Sequence, residues 1–304
     1  MLRPRMSAIA ALSLLAISAC AKDSATPNAS PTPTEVPVVD IGECQTDAGT
    51  AANAEPLGVD YAEQLKEPGI LNVGSDNAYP PFENIEPGAD EPSGFDVDLY
   101  TEVADRLELE AKSTTTDFDG LFTQSIPDGT FDIGVSAITI KESRRETVDF
   151  SVPYFKADLS LAINTVETPD IAGIDDLAGL TIGAQKGTTG EDCANVLVEQ
   201  GKAAEVKSYG DTAQAFQDLE AGRIAAIVND APASQGFIER ADDLAVVQVI
   251  RTNERYGFAI SKDKPDLRVK IDEVLTEIMT DGTYATIYEE WFGTQPPYDV
   301  PITD

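Results

Sequence analysis

The chain has 304 residues with 54 acidic and 21 basic side chains, no histidine, three cysteines and a formal net charge of -33. The lack of histidine excludes catalytic relays and metal sites that require imidazole, and three cysteines cannot form a four-thiolate cluster. We therefore expect neither a metal nor a cofactor, and so negative a chain disfavours nucleic acids and anionic membrane surfaces as partners. The length permits two domains of about 100–150 residues each.

The N-terminal segment has the features of an export signal. Arg3 and Arg5 precede an apolar run over residues 6–17, which is too short for a stable membrane span but has the length of a signal-peptide core. The run ends in an aliphatic residue, two small residues and Cys20, an arrangement that resembles the lipobox of bacterial lipoproteins. The resemblance implies that residues 1–19 are removed and that Cys20 is lipidated on the outer face of the bacterial cell membrane. Plain secretion with cleavage nearby is the alternative.

Residues 20–56 are predicted to form the lipidated cysteine and a flexible tether. The segment contains five prolines among small and polar residues. A coil of this length has a root-mean-square reach of about 30–36 Å, enough to keep a soluble body close to the membrane. Cys44 and Cys193 remain after lipidation, an even number in an oxidising compartment. A disulfide between them is therefore predicted, with two free thiols as the alternative.

From residue 57 onward, short apolar runs alternate with amphipathic stretches of helical period, which is typical of βα repeats with a largely parallel sheet. Strands are predicted at residues 70–74, 111–115, 131–137, 159–163, 181–184, 205–208, 224–228 and 256–260. Helices are predicted after Gly94 and after Thr212, where apolar residues recur every three or four positions. A third is predicted over 265–281, because it opens with a proline and stops at Gly282.

An ordered set of short motifs in this body resembles the polar amino acid substrate-binding proteins of ABC importers. The motifs are SDNAYPPFE at 75–83, GFDVDL at 94–99, DFDGL at 117–121, QKGTTGE at 185–191, VNDAP at 228–232 and DGTY at 281–284. Each motif alone is a weak signal, but their order and spacing are specific to this family. The resemblance covers residues 57–293.

The resemblance implies an α/β fold of two lobes joined by two hinge strands, the type II periplasmic-binding-protein-like fold. Lobe 1 is expected at 57–158 and 254–304, and lobe 2 at 159–253. It also implies a non-catalytic extracytoplasmic receptor, which binds a free polar amino acid between closing lobes and delivers it to an ABC transporter permease. Such a receptor is expected to be a monomer held at the membrane only by its lipid anchor.

A free amino acid is a zwitterion, so a buried site must offer partners to both of its charges. The family residue that matches Arg144 clamps the α-carboxylate, and the one that matches Asp230 binds the α-ammonium. The N–H groups of Thr188 and Thr189 precede a predicted helix and are expected to meet the same carboxylate. A surface arginine, a turn aspartate and two helix-capping threonines are the alternatives. Arg145 is expected to be solvated.

The ligand side chain is expected between two aromatic rings and two polar groups. By resemblance, Tyr79 and Phe118 sandwich it, while Asp76 and Gln185 contact its polar end. The remaining contacts are expected from the backbone carbonyls and hydroxyls of Ser136, Ala137 and Thr139. A second carboxylate beside Asp76 would be repelled, so the expected order of ligands is glutamine, then basic amino acids, then glutamate.

Two other functions are compatible with the same fold. A few relatives are dehydratases, in which a cleft carboxylate such as Asp230 or Glu83 would act as general acid with a raised pKa. Alternatively, the lobes would serve as a ligand-sensing domain for a partner receptor. Turnover of a prephenate-like substrate would identify the first, and a receptor partner the second.

Overall fold

A computed structural model describes residues 36–49 and 52–302, which belong to the compact unit Val36–Asp304. The expected signal peptide, the Cys20 lipidation site and the tether as far as residue 35 lie outside the described residues. No helix in the described part of the chain is long and apolar enough to cross a membrane.

Strands and helices alternate along most of the chain. The strands are β1 (Val38–Asp40), β2 (Ile70–Ser75), β3 (Ala78–Tyr79), β4 (Glu83–Asn84), β5 (Glu110–Thr115), β6 (Ile133–Gly134), β7 (Val148–Phe150), β8 (Phe155–Asn164), β9 (Thr181–Gln185), β10 (Glu205–Tyr209), β11 (Ala226–Asp230), β12 (Leu244–Tyr256) and β13 (Ala259–Ser261). The helices are α1 (Phe95–Arg106), α2 (Phe118–Gly120), α3 (Glu142–Arg145), α4 (Thr189–Glu199), α5 (Thr212–Glu220), α6 (Ala231–Ile238), α7 (Pro265–Asp281) and α8 (Thr283–Phe292).

The first sheet has five strands in the order β5-β2-β6-β13-β7. β2 lies parallel to β5 and β6, whereas β13 is antiparallel to both of its neighbours. Helix α1 buries Phe95, Leu99 and Val103 completely, so the apolar period predicted after Gly94 faces the core. The helix predicted over 265–281 is confirmed as α7, which ends at Gly282 in the left-handed conformation.

The second sheet has six strands in the order β1-β12-β8-β11-β9-β10. β9 is parallel to both of its neighbours, but β8 is antiparallel to β11 and β12. The sheets are therefore mixed rather than largely parallel as predicted. Leu161, Ile182, Val228 and Leu197 are at most 1% exposed and form one continuous core beneath α4.

Two long antiparallel strands connect the sheets. β8 pairs with β12 from Phe155 opposite Tyr256 to Asn164 opposite Leu244. At the Tyr256 end, the Tyr154 N–H donates to the Tyr256 carbonyl at 2.9 Å, and the chain continues into the first sheet on both sides. This is the arrangement expected of the hinge strands. The lobe boundaries at 158/159 and 253/254 stay a prediction.

The N-terminal segment departs from the predicted tether. Residues 38–40 form the edge strand β1, parallel to β12, with Val38 opposite Val249. The next buried residues are Ile41 and Cys44, and the Cys44 and Cys193 sulfurs are bonded at 2.04 Å. Prolines and small residues indicate a coil, but the β-branched run before Ile41 suits an edge strand. The tether therefore cannot extend as far as residue 56.

Beyond the disulfide, the same segment contacts the first sheet. The Arg145 Nε donates to the Ala48 carbonyl at 2.8 Å, and the Ala54 N–H donates to Asp149 Oδ2 at 2.7 Å. The expectation that Arg145 is solvated is wrong, because this segment covers it and accepts its hydrogen bonds. The N-terminal segment thus contacts both sheets.

Candidate ligand-binding site

All eleven side chains named as candidate ligand contacts line one cavity where the two sheets face each other. They are Asp76, Tyr79, Phe118, Ser136, Ala137, Thr139, Arg144, Gln185, Thr188, Thr189 and Asp230. The space left for the centre of a water-sized sphere is about 10 Å³, room for roughly one water molecule. The walls therefore lie almost in contact, and an amino acid can enter only if they separate.

Sheet topology explains why residues so far apart in the sequence meet here. The segments that carry most of them follow the carboxyl ends of β2, β5, β6 and β9. Gln185 and Asp230 are themselves the last residues of β9 and β11. Open α/β sheets bind ligands at this edge, because the loops that leave neighbouring strands converge there. The two sheets present these edges to each other.

Arg144 is the cation of the cavity and is only 3% exposed. Its Nη1 donates to the Thr139 carbonyl at 2.8 Å, and its Nη2 donates to the Gly187 carbonyl at 2.9 Å. The guanidinium carbon lies 4.5 Å from the centre of the Phe122 ring, while Nε has no hydrogen-bond partner. Burial lowers the pKa of Arg144, but an arginine stays charged at physiological pH. A buried cation with an unused donor suits an anionic ligand group.

Asp230 is the anion at the end of β11 and is 6% exposed. Its Oδ2 accepts the Tyr256 hydroxyl at 2.6 Å. Burial raises the pKa of Asp230, while hydrogen bonds from Tyr256 and Tyr79 and the charge of Arg144 oppose that rise. Hydroxyl donors and a cation thus counteract the effect of burial on this carboxyl group, which suits an ammonium partner.

Asp76 and Gln185 form a direct contact across the cavity. The Gln185 Nε2 donates to Asp76 Oδ2 at 2.7 Å, and its Oε1 accepts the Thr212 hydroxyl at 2.6 Å. Burial, followed by the charges of Asp211 and Asp117, raises the pKa of Asp76 to about 6 despite the hydrogen bond from Gln185. This corner of the cavity is acidic.

The two threonines at the start of α4 have different roles. Thr188 is the N-cap, since its Oγ1 accepts the Glu191 N–H at 3.1 Å. Its hydroxyl also donates to the Gln185 carbonyl at 2.7 Å. Thr189 is 7% exposed and directs its hydroxyl to Glu254 at 3.1 Å. The Thr188 side chain therefore caps α4, as the alternative had it. Its backbone N–H is the group that stays a candidate for contact with a ligand.

Sequence reasoning missed Glu254, which is 1% exposed. Its Oε2 accepts the hydroxyls of Thr139 at 2.6 Å and Thr189 at 3.1 Å. These threonines lie on opposite walls of the cavity. Burial and then the neighbouring Asp230 charge raise the pKa of Glu254 to about 8. No sequence signal marks this position, because the pairing of β12 with β8 slips between Ile250 and Glu254.

Among the described residues, no cluster of carboxylates and cysteines is arranged to hold a metal ion. The cavity's polar groups are instead one guanidinium, several carboxyls, hydroxyls and an amide. These groups suit a small polar molecule that carries both signs of charge.

Comparisons with known proteins agree with this geometry. The sequence model for bacterial extracellular solute-binding proteins, family 3, matches residues 71–294. The L-cystine-binding protein TcyJ of Escherichia coli K12 is 30% identical over 231 residues, which cover 76% of this chain and 85% of that protein. An ancestral arginine-binding protein bound to arginine is similar in structure, with a TM-score of 0.69 and 31% identity over 74% of this chain and 99% of that one. An ancestral amino acid-binding protein, a precursor of cyclohexadienyl dehydratase, gives a TM-score of 0.70 and 32% identity over 77% of this chain and 100% of that one.

Proposed function

The chain belongs to family 3 of the bacterial extracellular solute-binding proteins, and on that premise we propose that it binds a polar α-amino acid outside the cytoplasm and delivers it to an ABC importer. The observation that carries the proposal is the pair of opposite charges in one cavity. Arg144 and Asp230 are both nearly fully buried there, and isolated buried charges are unfavourable without partners. An α-carboxylate and an α-ammonium supply those partners.

The side chain of the ligand is proposed to be cationic. Of the residues that the structure describes, Asp76 and Asp230 are the acids that line the cavity, whereas Arg144 is its one lining cation. A zwitterion leaves this excess of negative charge unchanged, but a guanidinium or ammonium beside Asp76 reduces it. We therefore place basic amino acids first, glutamine second and glutamate last. Ancestral arginine-binding proteins of similar structure are recorded bound to arginine and bound to glutamine, the first two classes in this order.

Ligand capture is proposed to close the two lobes around the hinge strands β8 and β12. A ligand that contacts both walls favours the closed state by its differential affinity for that state. Lipidation at Cys20 is proposed to keep the receptor near its permease. In this arrangement the lipid is the membrane contact and the receptor acts as a monomer.

Calorimetric titration of the purified mature protein with the twenty amino acids tests this function. We expect a tight complex with arginine or lysine and a weaker one with glutamine. Arg144→Ala is expected to lose affinity by about a hundredfold or more, because it leaves the ligand carboxylate buried without its partner. Arg240→Ala is the matched control, since Arg240 is about half exposed in a surface ion pair with Glu86. If calorimetry detects no binding of any of the twenty amino acids, the proposal is wrong.

A dehydratase is the second candidate, favoured by one observation. Glu254 is a buried carboxyl beside the cavity with a pKa raised to about 8, so it remains protonated at neutral pH, as a general acid must. Incubation with prephenate or arogenate, followed by detection of the dehydrated product, distinguishes the two functions. Turnover that is lost in Glu254→Gln would support the enzyme.

A further inference from the structure

Two buried carboxyl groups lie directly behind the cavity wall. Glu83 and Asp96 are both 0% exposed. Glu83 Oε1 accepts the Ser136 hydroxyl at 2.5 Å, and Asp96 Oδ2 accepts the Ala137 N–H at 2.8 Å. Each acid therefore supports one of two consecutive residues that line the cavity.

The other oxygen of each carboxyl has no donor. Glu83 Oε2 and Asp96 Oδ1 are both buried without a hydrogen-bond partner from any N–H or hydroxyl group. Glu83 follows Phe82, whose carbonyl accepts the Asp96 N–H at 2.9 Å, so the two acids lie side by side, and each shifts the pKa of the other. Two ionised carboxylates cannot donate to each other and would repel in a dry interior. A proton between the two oxygens resolves both problems.

We infer that Glu83 and Asp96 share one proton, carried on Glu83 and donated to Asp96, and that this pair positions Ser136 and Ala137 for ligand binding. The positioning role rests on the proposed function. The shared proton does not, since it follows from the burial and the unpartnered oxygens.

The electrostatic surroundings favour retention of this proton. Burial and then the Asp96 charge raise the pKa of Glu83 well above its ordinary value, and the Ser136 hydroxyl opposes this shift. Burial raises the pKa of Asp96 to about 7, opposed by the Ala137 N–H and the Tyr154 hydroxyl. The other titratable groups that act on the pair are Asp76, Tyr79, Tyr100, Tyr154 and Tyr284. The four tyrosines are uncharged near neutral pH because burial raises their pKa values, and the remaining group, Asp76, is an acid. None of these groups is a cation, so a single proton on the pair is favoured and the two carboxyls titrate as one unit.

The pair transmits its geometry to three cavity residues. The Asp76 N–H donates to the Ser136 hydroxyl oxygen at 3.1 Å, so Asp76 is positioned through Ser136. Ala137 has a φ of 46°, a left-handed conformation that a residue with a β-carbon adopts only when its surroundings hold it there. The hydrogen bond from its N–H to Asp96 supplies that constraint. Replacement of Glu83 or Asp96 should therefore alter the position of cavity residues, although neither acid lines the cavity itself.

Two substitutions at one position test the inference. In Glu83→Gln, the amide can still accept from Ser136 and donate to Asp96, whereas Glu83→Leu can do neither. We expect Glu83→Gln to bind arginine within about threefold of wild type, and Glu83→Leu to bind at least about tenfold more weakly. Hydrogen exchange should accelerate at the Asp76 and Ala137 amides only in Glu83→Leu.

The proton itself is tested by infrared spectroscopy of the full mature chain. A protonated-carboxyl stretch should be present near neutral pH and shift in heavy water, and its Glu83 component should be missing in Glu83→Gln. The component expected from protonated Glu254 should remain in that variant and be lost in Glu254→Gln. Asp132→Asn is the matched control, because Asp132 is also 0% exposed but pairs with Lys264 at 2.6 Å. That variant should keep the stretch.

Thermal unfolding supplies an independent readout. The pKa of Glu83 is higher in the folded protein than in the unfolded chain, where a glutamate has a pKa of about 4.3. Such a group stabilises the folded protein below the unfolded pKa, and this stability is lost as pH rises through the folded pKa. Because Glu83→Gln does not titrate, its melting temperature relative to wild type should rise with pH. Equal protonated-carboxyl intensity in wild type and Glu83→Gln, or equal loss of arginine affinity in Glu83→Gln and Glu83→Leu, would overturn the inference. If wild type binds no amino acid, the proposed function fails, while the infrared and exchange data still decide about the pair.

Discussion

The Gln185 side-chain amide donates to the Asp76 carboxylate at 2.7 Å and thereby joins the two walls of the cavity. Gln185 is the last residue of β9 in the second sheet, and Asp76 follows β2 in the first. The contact satisfies one carboxylate oxygen without supplying a positive charge. Asp76 thus remains an acid in need of a cation, which makes it the group most sensitive to the ligand's side chain.

Asp76→Asn should change ligand preference. Removal of the charge is expected to weaken arginine and lysine binding by about tenfold or more and to leave glutamine binding within about threefold. Competition calorimetry with arginine and glutamine measures the ratio. An unchanged ratio would show that Asp76 does not contact the ligand's side chain.

Arginine binding should also depend on pH. The pKa of Asp76 is raised to about 6, so the free protein binds a proton there as pH falls through that value. We expect arginine affinity to decline below about pH 6, while glutamine affinity changes less. Titrations at pH 5 and pH 7.5 compare the two ligands, and Asp76→Asn is the control that should remove the difference.

The same shift predicts that Asp76→Asn stabilises the ligand-free protein. A carboxyl group whose pKa is higher in the folded than in the unfolded protein makes the folded protein less stable as pH rises through the folded pKa. A rise of about two pKa units corresponds to at most about 3 kcal/mol at pH 7. Urea unfolding should show the variant more stable at pH 7 and equal to wild type near pH 3.5. Lower stability at both pH values would contradict this.

Thr139 and Thr189 should be energetically coupled through Glu254. Both hydroxyls donate to the same carboxylate oxygen, so each Thr→Val change is expected to lower the free energy of unfolding by about 1 kcal/mol. In a Glu254→Leu background the acceptor is gone and both effects should vanish. Double-mutant cycles in urea measure the coupling. Equal effects in both backgrounds would mean that Glu254 does not bridge the walls.

Gly190→Ala should damage the site even though alanine is the better helix former. A β-carbon at Gly190 would lie 2.6 Å from the Val228 carbonyl oxygen, so α4 would have to shift away from β11. We expect at least about tenfold weaker amino acid binding and a lower melting temperature. Gly210→Ala is the control, because nothing lies within 4 Å of its added carbon; comparable losses there would discount the steric explanation.

Loss of the disulfide should destabilise the folded body. The bond between Cys44 and Cys193 spans a sequence separation of 149 residues, and bonds that close long loops contribute about 2–5 kcal/mol. The double variant Cys44→Ser, Cys193→Ser should therefore melt at a lower temperature than oxidised wild type. Reductant should lower the melting temperature of wild type but leave that of the variant unchanged. Mapping of non-reduced peptides checks that the bond is present.

The residues expected from the family resemblance line one cavity, because they belong to short motifs at or after the ends of strands; their contacts with a ligand stay a prediction. Asp230, for example, comes directly after an apolar run, and the carboxyl end of such a strand is where a ligand edge forms. The same reasoning failed for the segment around Val38, since local composition indicates a coil. Its strand forms only because β12 offers a free edge.

Apolar period and spacing by themselves determined an α/β chain of alternating strands and helices, because these features act locally along the chain. The ordered motifs, through their resemblance to a known family, added the two-lobed fold and the charged, aromatic and hydroxyl groups at the cleft. Only the tertiary structure decided that Glu254 meets a threonine from each wall, that Glu83 and Asp96 are buried against each other, and that Arg145 is covered. Those outcomes depend on strand register and on packing between segments up to 115 residues apart. No local pattern encodes which distant donor a buried carboxyl will find.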